Sequence, residues 1–464
     1  MNIRVCYLIA LSLLFSSGTS ANEPSINSVP GTNIVENYNA LKEKTDRGEK
    51  VRVIAKIKNI ERGSPRSKIV PQGFIDARDL LESRGMKAQR EFPRLGVLVF
   101  EVDGHALEGL VKSGIFEKIE EDIPVPPTLM QSIPHIRADL AHNAGFTGSN
   151  QAVAILDTGV DPGHPFYSNR LVEEACFSSN TSWSTSLCPN GQNVQSGTNA
   201  ANDCSRTGIS SCDHGTHVAG ISAGANGSMS GVAPGANIVA VQVFSAFSAS
   251  YCGGGVQCLR ANTSDIIAAL EWVLNDSTTN NIAAINLSLG GGLYTSACDA
   301  LSGTVTIADL RSAGIATVIA SGNNSASNAV SWPGCISAAI TTGSTFDSND
   351  SISYFSNSSS LVDILAPGEV ITSSIVGGGY GDMAGTSMAT PHVTGAFAVM
   401  RAVNPSATVG DIEAYLKANG VSVLDARNGL TFPRLDLYKS VTALSDRSTR
   451  RSQLNILELM PEED

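Results

Sequence analysis

Five short apolar runs constrain the fold of this chain more than anything else in it: Ala152–Leu156, Ile238–Val243, Ala283–Leu287, Ile315–Ala320 and Ile336–Thr341. They are apolar at nearly every position, as strands buried on both faces are, and too short for core helices. Segments with helical patterning, among them Ser264–Leu274 and Thr304–Ala313, lie between them. Such alternation predicts an α/β domain with a mostly parallel central sheet and helices on both of its faces. The pattern runs from Ile136 to about Ala443, a length that a single α/β unit can hold. The glycine clusters Gly253–Gly255 and Gly377–Gly379 lack the phosphate-loop pattern and read as tight loops.

A different unit precedes this domain. Val51–Ile57 alternates like a half-buried strand, Val97–Val102 is a second strand, and Ile75–Arg84 and His105–Ser113 are patterned as helices, which predicts a small α+β domain. Charge divides the chain near the same place. Residues 1–130 carry 18 basic and 17 acidic side chains, whereas residues 131–464 carry 13 and 26. The acidic larger part argues against nucleic-acid binding. At the start, Met1–Arg4 is a short positive lead, Val5–Phe15 is mostly apolar and Ser16–Ala21 is small and polar, the pattern of a signal peptide cut after Ala21. The apolar run is too short to span a bilayer and no later stretch qualifies, so secretion without a membrane anchor is expected. Cys6 lies inside the run rather than after it, which argues against lipidation.

Three motifs place reactive side chains at the ends of predicted elements. Asp157 closes the first apolar run and is followed by Thr158-Gly159, so a carboxylate stands at the C-terminal end of a buried strand, where open α/β sheets bind ligands. His214 opens His214-Gly-Thr-His217, and Ser387 lies within Gly385-Thr-Ser-Met-Ala-Thr-Pro391; each precedes a predicted helix, His217–Ala223 and Met388–Ala402. A serine hydroxyl becomes a useful nucleophile only beside a base, and histidine has the right pKa for that task. A carboxylate on the far ring nitrogen fixes the tautomer and stabilises the imidazolium that forms. A helix N-terminus adds backbone donors near the serine.

Each of these residues has a plainer reading alone: Asp157 as a turn carboxylate, Ser387 as a helix N-cap, and Cys212, His214 and His217 as metal ligands. No further Cys/His pair at ligand spacing completes a zinc set, so no metal is assigned. A thiol mechanism through Cys212 is set aside in favour of the better-placed Ser387. His217 and His392 lie among small apolar residues and read as structural.

With these surroundings, the order Asp157, His214, Ser387 resembles the subtilases, the subtilisin-like serine endopeptidases of the peptidase S8 family, from about Val51 to about Ala443. The resemblance implies an autoprocessed, secreted enzyme with Ser387 as nucleophile, His214 as acid/base and Asp157 as its orienter. Asn323, in Val318-Ile-Ala-Ser-Gly-Asn323, is implied as an oxyanion donor beside the Ser387 N–H, although Asn323 alone would read as a turn residue. Ile285–Gly291 resembles the strand that pairs with substrate and walls the S1 pocket through Ser288, Leu289 and Gly290. Ser331–Gly334 resembles the opposite wall, with Ser331 at the floor. A small, uncharged floor implies broad specificity with an apolar-leaning P1 residue. Val421–Leu424 and Pro433–Asp436 resemble closing elements.

The α+β unit resembles the ferredoxin-like, inhibitor-type propeptide, which makes the chain's own first domain an intramolecular inhibitor. The junction Lys118–Leu129 ahead of Met130–Pro134 places autoprocessing between Leu129 and Met130, within two residues. The implied domains are a signal peptide 1–21, a propeptide 22–129 with its core at 51–129, a catalytic domain 130–443 and a tail 444–464. The Pro-rich stretch ending at Leu129 is expected to be extended, as a strand-like occupant of the substrate groove or as a rigid linker.

Eight cysteines follow Cys6: Cys176, Cys188, Cys204, Cys212, Cys252, Cys258, Cys298 and Cys335. An even set in an exported chain favours disulfides, and eight cysteines allow 105 pairings that sequence does not decide. Sequential pairing is expected because short loops close easily, and the resemblance places the last bridge behind Asn323. Catalysis is expected to need no cofactor. Calcium-binding relatives carry an aspartate after the His-Pro that here is followed by Phe166, and the His217–Gly231 loop is short. Gln131 matches one ligand position, too few for calcium, so the usual high-affinity site is expected to be absent while a weaker one stays open. Expected partners are protein or peptide substrates, with no nucleic acid, no membrane and a monomeric state. Two other classes are weighed. A silent binding protein has no need of all four residues Asp157, His214, Ser387 and Asn323, and a serine-carboxyl peptidase would replace His214 with an acid.

Overall fold

The computed structural model describes residues 38–60, 70–121 and 129–446, apart from Ser168, Ser210, Asn280 and Ser348. The expected signal peptide, the Pro-rich stretch up to Thr128 and the C-terminal tail after Asp446 lie outside these residues, as do the side chains of Leu129 and Met130 at the expected cleavage site; the Leu129 backbone begins helix Leu129–His135 rather than ending an extended stretch. The chain divides into two compact units, Met1–Val125 and Pro126–Asp464.

In the first unit, four antiparallel strands lie in the order Arg90–Phe92, Val97–Val102, Val51–Ile57, Phe116–Glu121. Helices Gln72–Ser83 and Gly104–Ser113 connect them in a β-α-β-β-α-β order, the ferredoxin-like arrangement. Every second residue of Val51–Ile57 is buried, and Val53 and Ala55 pack with Phe74, Leu81, Phe100 and Leu107 in one core. Asp103 starts the second helix by accepting the Ala106 N–H at 2.8 Å.

The second unit is built on a ten-stranded sheet. Its middle strands are Ile364–Glu369, Ile340–Phe346, Ala316–Ala320, Ile282–Leu287, Ala152–Asp157, Asn237–Gln242 and Leu171–Phe177, adjacent in that order and parallel. Leu430–Arg434 extends the parallel run beside Ile364–Glu369, and antiparallel partners close both ends, Val421–Asp425 on that side and Val194–Ser196 on the other. Two apolar clusters lie on opposite faces. Val153 and Ile155 join the first, with helices His214–Ala223 and Thr386–Val403; Ala154 and Leu156 join the second, with helices Thr263–Asn275 and Thr304–Ser312. This is strand alternation expressed as two layers of helix.

Three expectations shift. Residues 336–339 form a turn rather than the start of a strand, which begins at Ile340. Cys335 is bonded there to Cys298, and the Asp299 carboxylate accepts from the Ser337 N–H and hydroxyl, both at 2.8 Å, so local bonds replace a ladder. The two helices near the reactive residues begin earlier than expected, at His214 and Thr386, and so include those residues in their first turns. Strands Leu171–Phe177 and Ile364–Glu369 were not anticipated.

The disulfides are Cys176–Cys188, Cys204–Cys212, Cys252–Cys258 and Cys298–Cys335. The last braces the turn after strand Val330–Trp332, whose Ser331 N–H donates to the Ser321 carbonyl, two residues before Asn323. Its 37-residue separation gives the largest loop constraint of the four, worth about 4 kcal/mol in a chain-entropy account. No described helix is long and apolar enough to cross a membrane.

Candidate active site

Asp157 shares the strand face of Val153 and Ile155, which turns its carboxylate toward the helix that begins at His214. The carboxylate is fully buried. Its Oδ1 accepts from His214 Nδ1 at 2.7 Å and from the Thr158 N–H at 2.7 Å. A carboxylate only accepts, so Nδ1 carries the proton and Nε2 is left as the basic nitrogen. The helix is held against the strand end by Thr158, whose hydroxyl donates to the Cys212 carbonyl at 3.2 Å and accepts the Gly215 N–H at 2.9 Å. Position 215 must be glycine, because a Cβ there would run into the Gly159 carbonyl.

Burial disfavours the His214 imidazolium, but the charge of Asp157 and its hydrogen bond together outweigh that, and the pKa is raised above the usual imidazole value. The other two histidines of the motifs behave oppositely. His217 meets the Gly381 carbonyl at 3.0 Å, and His392 bridges the Met388 carbonyl and the Ser132 hydroxyl at 2.8 and 2.9 Å. Burial holds both down at about 4. They are neutral core groups.

Ser387 is the second residue of helix Thr386–Val403, so its N–H is one of those a helix leaves without an internal acceptor. The same helix contains Pro391, which lacks the N–H that would have bonded the Ser387 carbonyl. Ser288 fills the gap: its hydroxyl donates to the Ser387 carbonyl at 2.7 Å. Behind it, Asn286 Nδ2 donates to Ser288 Oγ at 2.9 Å, and the Thr394 hydroxyl donates to Asn286 Oδ1 at 3.2 Å. The Ser387 hydroxyl itself donates to the Ser288 carbonyl at 3.2 Å rather than to His214.

Asn323 is oriented by Thr386, whose N–H and hydroxyl both donate to Asn323 Oδ1 at 2.9 Å. That leaves Nδ2 turned outward. A Cβ built on Gly385 would meet Asn323 Nδ2 at 3.3 Å and the Ser387 nitrogen at 3.6 Å, so the two donor nitrogens lie close to one another. Asn357 secures the loop, accepting the Asn324 and Ala326 N–H groups at 2.9 and 3.1 Å and donating to the Ser321 carbonyl at 3.1 Å. Sequence reading missed Thr386, Asn286, Asn357 and Thr394 as supports. Thr386 adjoins a motif serine and could have been found; the others act from distant segments.

One cavity of about 340 Å³ is lined by Ser387, Asn323, Leu289, Gly290 and Ser331, among others. Two implied S1 residues are placed differently. Gly334 does not line it; it lies in the turn behind, its carbonyl accepting from the Thr341 hydroxyl at 2.5 Å. Ser288 acts on Ser387 from beneath rather than as wall. Ile285–Leu287 cannot pair with substrate, because strand Ile282–Leu287 is already hydrogen-bonded on both edges. The open edge belongs to Gly291–Tyr294, which pairs only with Val330–Trp332 among the described residues.

The subtilase family model matches residues 148–436. The chain belongs to the subtilase family. It is 33% identical to subtilisin E of Bacillus subtilis over 351 residues, 74% of this chain and 80% of that protein. It is 34% identical to an alkaline protease of Alkalihalobacillus alcalophilus over 339 residues, 72% and 76% of the two. A solved protease from Pseudoalteromonas arctica PAMC 21717 superposes with a TM-score of 0.54 at 28% identity, covering 68% of this chain and 94% of its own. This subtilase is therefore a serine endopeptidase acting on protein substrates, and the family needs no cofactor for catalysis. At the point where calcium-binding relatives hold an aspartate, the Phe166 ring is fully buried, packs edge-on against Tyr380 and fills the space over Gly224. Those residues do not fit a hard cation.

Proposed function

We propose that this subtilase is exported as a proenzyme, frees itself by cutting near Leu129–Met130, and then hydrolyses proteins with broad, apolar-leaning P1 preference through an acyl-enzyme on Ser387. The observation that carries this reading is the single cavity shared by Ser387, Asn323 and the small, neutral Ser331. The Ser387 hydroxyl swings from the Ser288 carbonyl to His214 Nε2 and gives up its proton there as Oγ attacks the scissile carbonyl carbon. Asp157 holds Nδ1–H and balances the imidazolium charge. Asn323 Nδ2 and the Ser387 N–H receive the oxyanion, a donor pair aimed before the charge develops. His214 then passes the proton to the leaving amine. Water, deprotonated by the same nitrogen, cleaves the ester and returns Ser387. The open edge of Gly291–Tyr294 would take the substrate backbone as an added strand.

The test is a fluorophosphonate probe with peptide mapping, followed by turnover of peptides that vary only at P1. Label on Ser387 that is absent from Ser387→Ala, with Leu and Met favoured over Asp and Lys, is the expected result. Label elsewhere, or a preference for Lys, would contradict it.

A further inference from the structure

The segment Leu289–Gly292 divides two cavities. One holds Ser387; the other, about 660 Å³, has apolar walls that include Phe244, Leu259, Ile266, Leu301 and Trp332. Neighbouring strand residues face opposite sides, and here Ser331 lines the first cavity while Trp332 lines only the second. Because Leu289–Gly292 lines both cavities, a peptide laid along the open edge of Gly291–Tyr294 has both within reach of its side chains. The second cavity contains one charged lining residue, Arg260.

We propose that Arg260 is a specificity-determining residue that makes this subtilase prefer an acidic side chain, glutamate above all, at the substrate position seated in the second cavity. The inference rests on the acyl-enzyme reading above. Arg260 ends the strand Cys258–Arg260, which is pinned by the Cys252–Cys258 disulfide and by antiparallel pairing of Arg260 with Ser245. Its position is built, although its side chain is exposed. Its Nη1 donates to the Leu259 carbonyl at 2.9 Å, and no carboxylate pairs with it among the described residues. That is a notable omission where residues 131–464 carry 26 acidic side chains against 13 basic ones. A guanidinium keeps several donors in a planar fork that suits a carboxylate. Glutamate matches the remainder, its methylenes covering the apolar walls and its carboxylate reaching the mouth.

The experiment is kcat/KM for peptides with a fixed P1 residue and Glu, Gln or Lys at each of several positions on either side of the scissile bond. The expected result is one position where Glu exceeds Gln by about 5–10-fold at low salt, shrinking as salt is added. The preference disappears in Arg260→Gln, survives in Arg260→Lys and turns toward Lys in Arg260→Glu. A Glu/Gln ratio near one at every position, or a ratio unchanged in Arg260→Gln, overturns the proposal while leaving the acyl-enzyme reading intact. Absence of any Ser387-dependent cleavage overturns both.

Discussion

At the residue scale, the three motif histidines show how position decides protonation. The fully buried Asp157 carboxylate stands against a His214 ring that is still partly exposed, and its charge and hydrogen bond favour the imidazolium over the cost of burial. Catalysis needs the neutral ring, and kcat/KM should therefore rise with pH through an apparent pKa above about 6.5. In Asp157→Asn only burial remains, so the inflection should move below that value and kcat should fall on the order of 10⁴-fold. A pH–rate profile on a small peptide checks this, and an unmoved inflection would contradict it. His217 and His392 run the other way. The unfolded chain takes up their protons near pH 6.5, the folded chain only near 4. Their contribution is complete above pH 6.5 and lost as pH falls through 4, on the order of 3 kcal/mol each. His214 has the opposite sign, its contribution present below pH 6.5 and lost as pH rises through the folded value. The urea midpoint of the Ser387→Ala protein should drop steeply between pH 7 and pH 4; a flat midpoint would count against neutral buried rings.

At the scale of elements, the site depends on a helix whose own sequence breaks its hydrogen-bond ladder. Pro391 frees the Ser387 carbonyl, and Ser288, at the end of a neighbouring strand, satisfies it. Ser288→Ala should strand that carbonyl, lowering stability by about 1–3 kcal/mol and reducing kcat, whereas Ser288→Thr should restore both. Denaturation midpoints alongside kcat decide it, and an alanine variant as stable as the parent would refute the coupling. Elements were legible where one signal dominated. Ala152–Asp157 and Ala316–Ala320 are strands apolar at nearly every position, with an active residue at or just beyond the end. Leu171–Phe177 was hidden by Glu173 and Glu174, which look like surface residues. They are strand residues whose carboxylates bind loop groups, Glu173 the Ser277, Thr278 and Thr279 donors and Glu174 the Asn199 and Ala201 N–H groups. Pro367 and Gly368 similarly masked Ile364–Glu369.

For the whole molecule, the α/β class, the ferredoxin-like first unit and the reactive residues could be read because each is written in contiguous residues. The supporting shell could not, since Asn286, Asn357 and Thr394 act across the fold and carry no local mark. The second cavity was also illegible: its walls come from five separate stretches between Phe244 and Trp332. The central claim joins both units of the chain, an endopeptidase whose first substrate is itself. Intact mass of the purified protein beside Ser387→Ala tests it most directly. The account predicts that the parent loses everything before about Met130 while the Ser387→Ala chain keeps its first unit attached. Masses that differ only by the oxygen lost in Ser387→Ala after the signal segment is removed, with both chains uncut or both cut at the same bond, would contradict it.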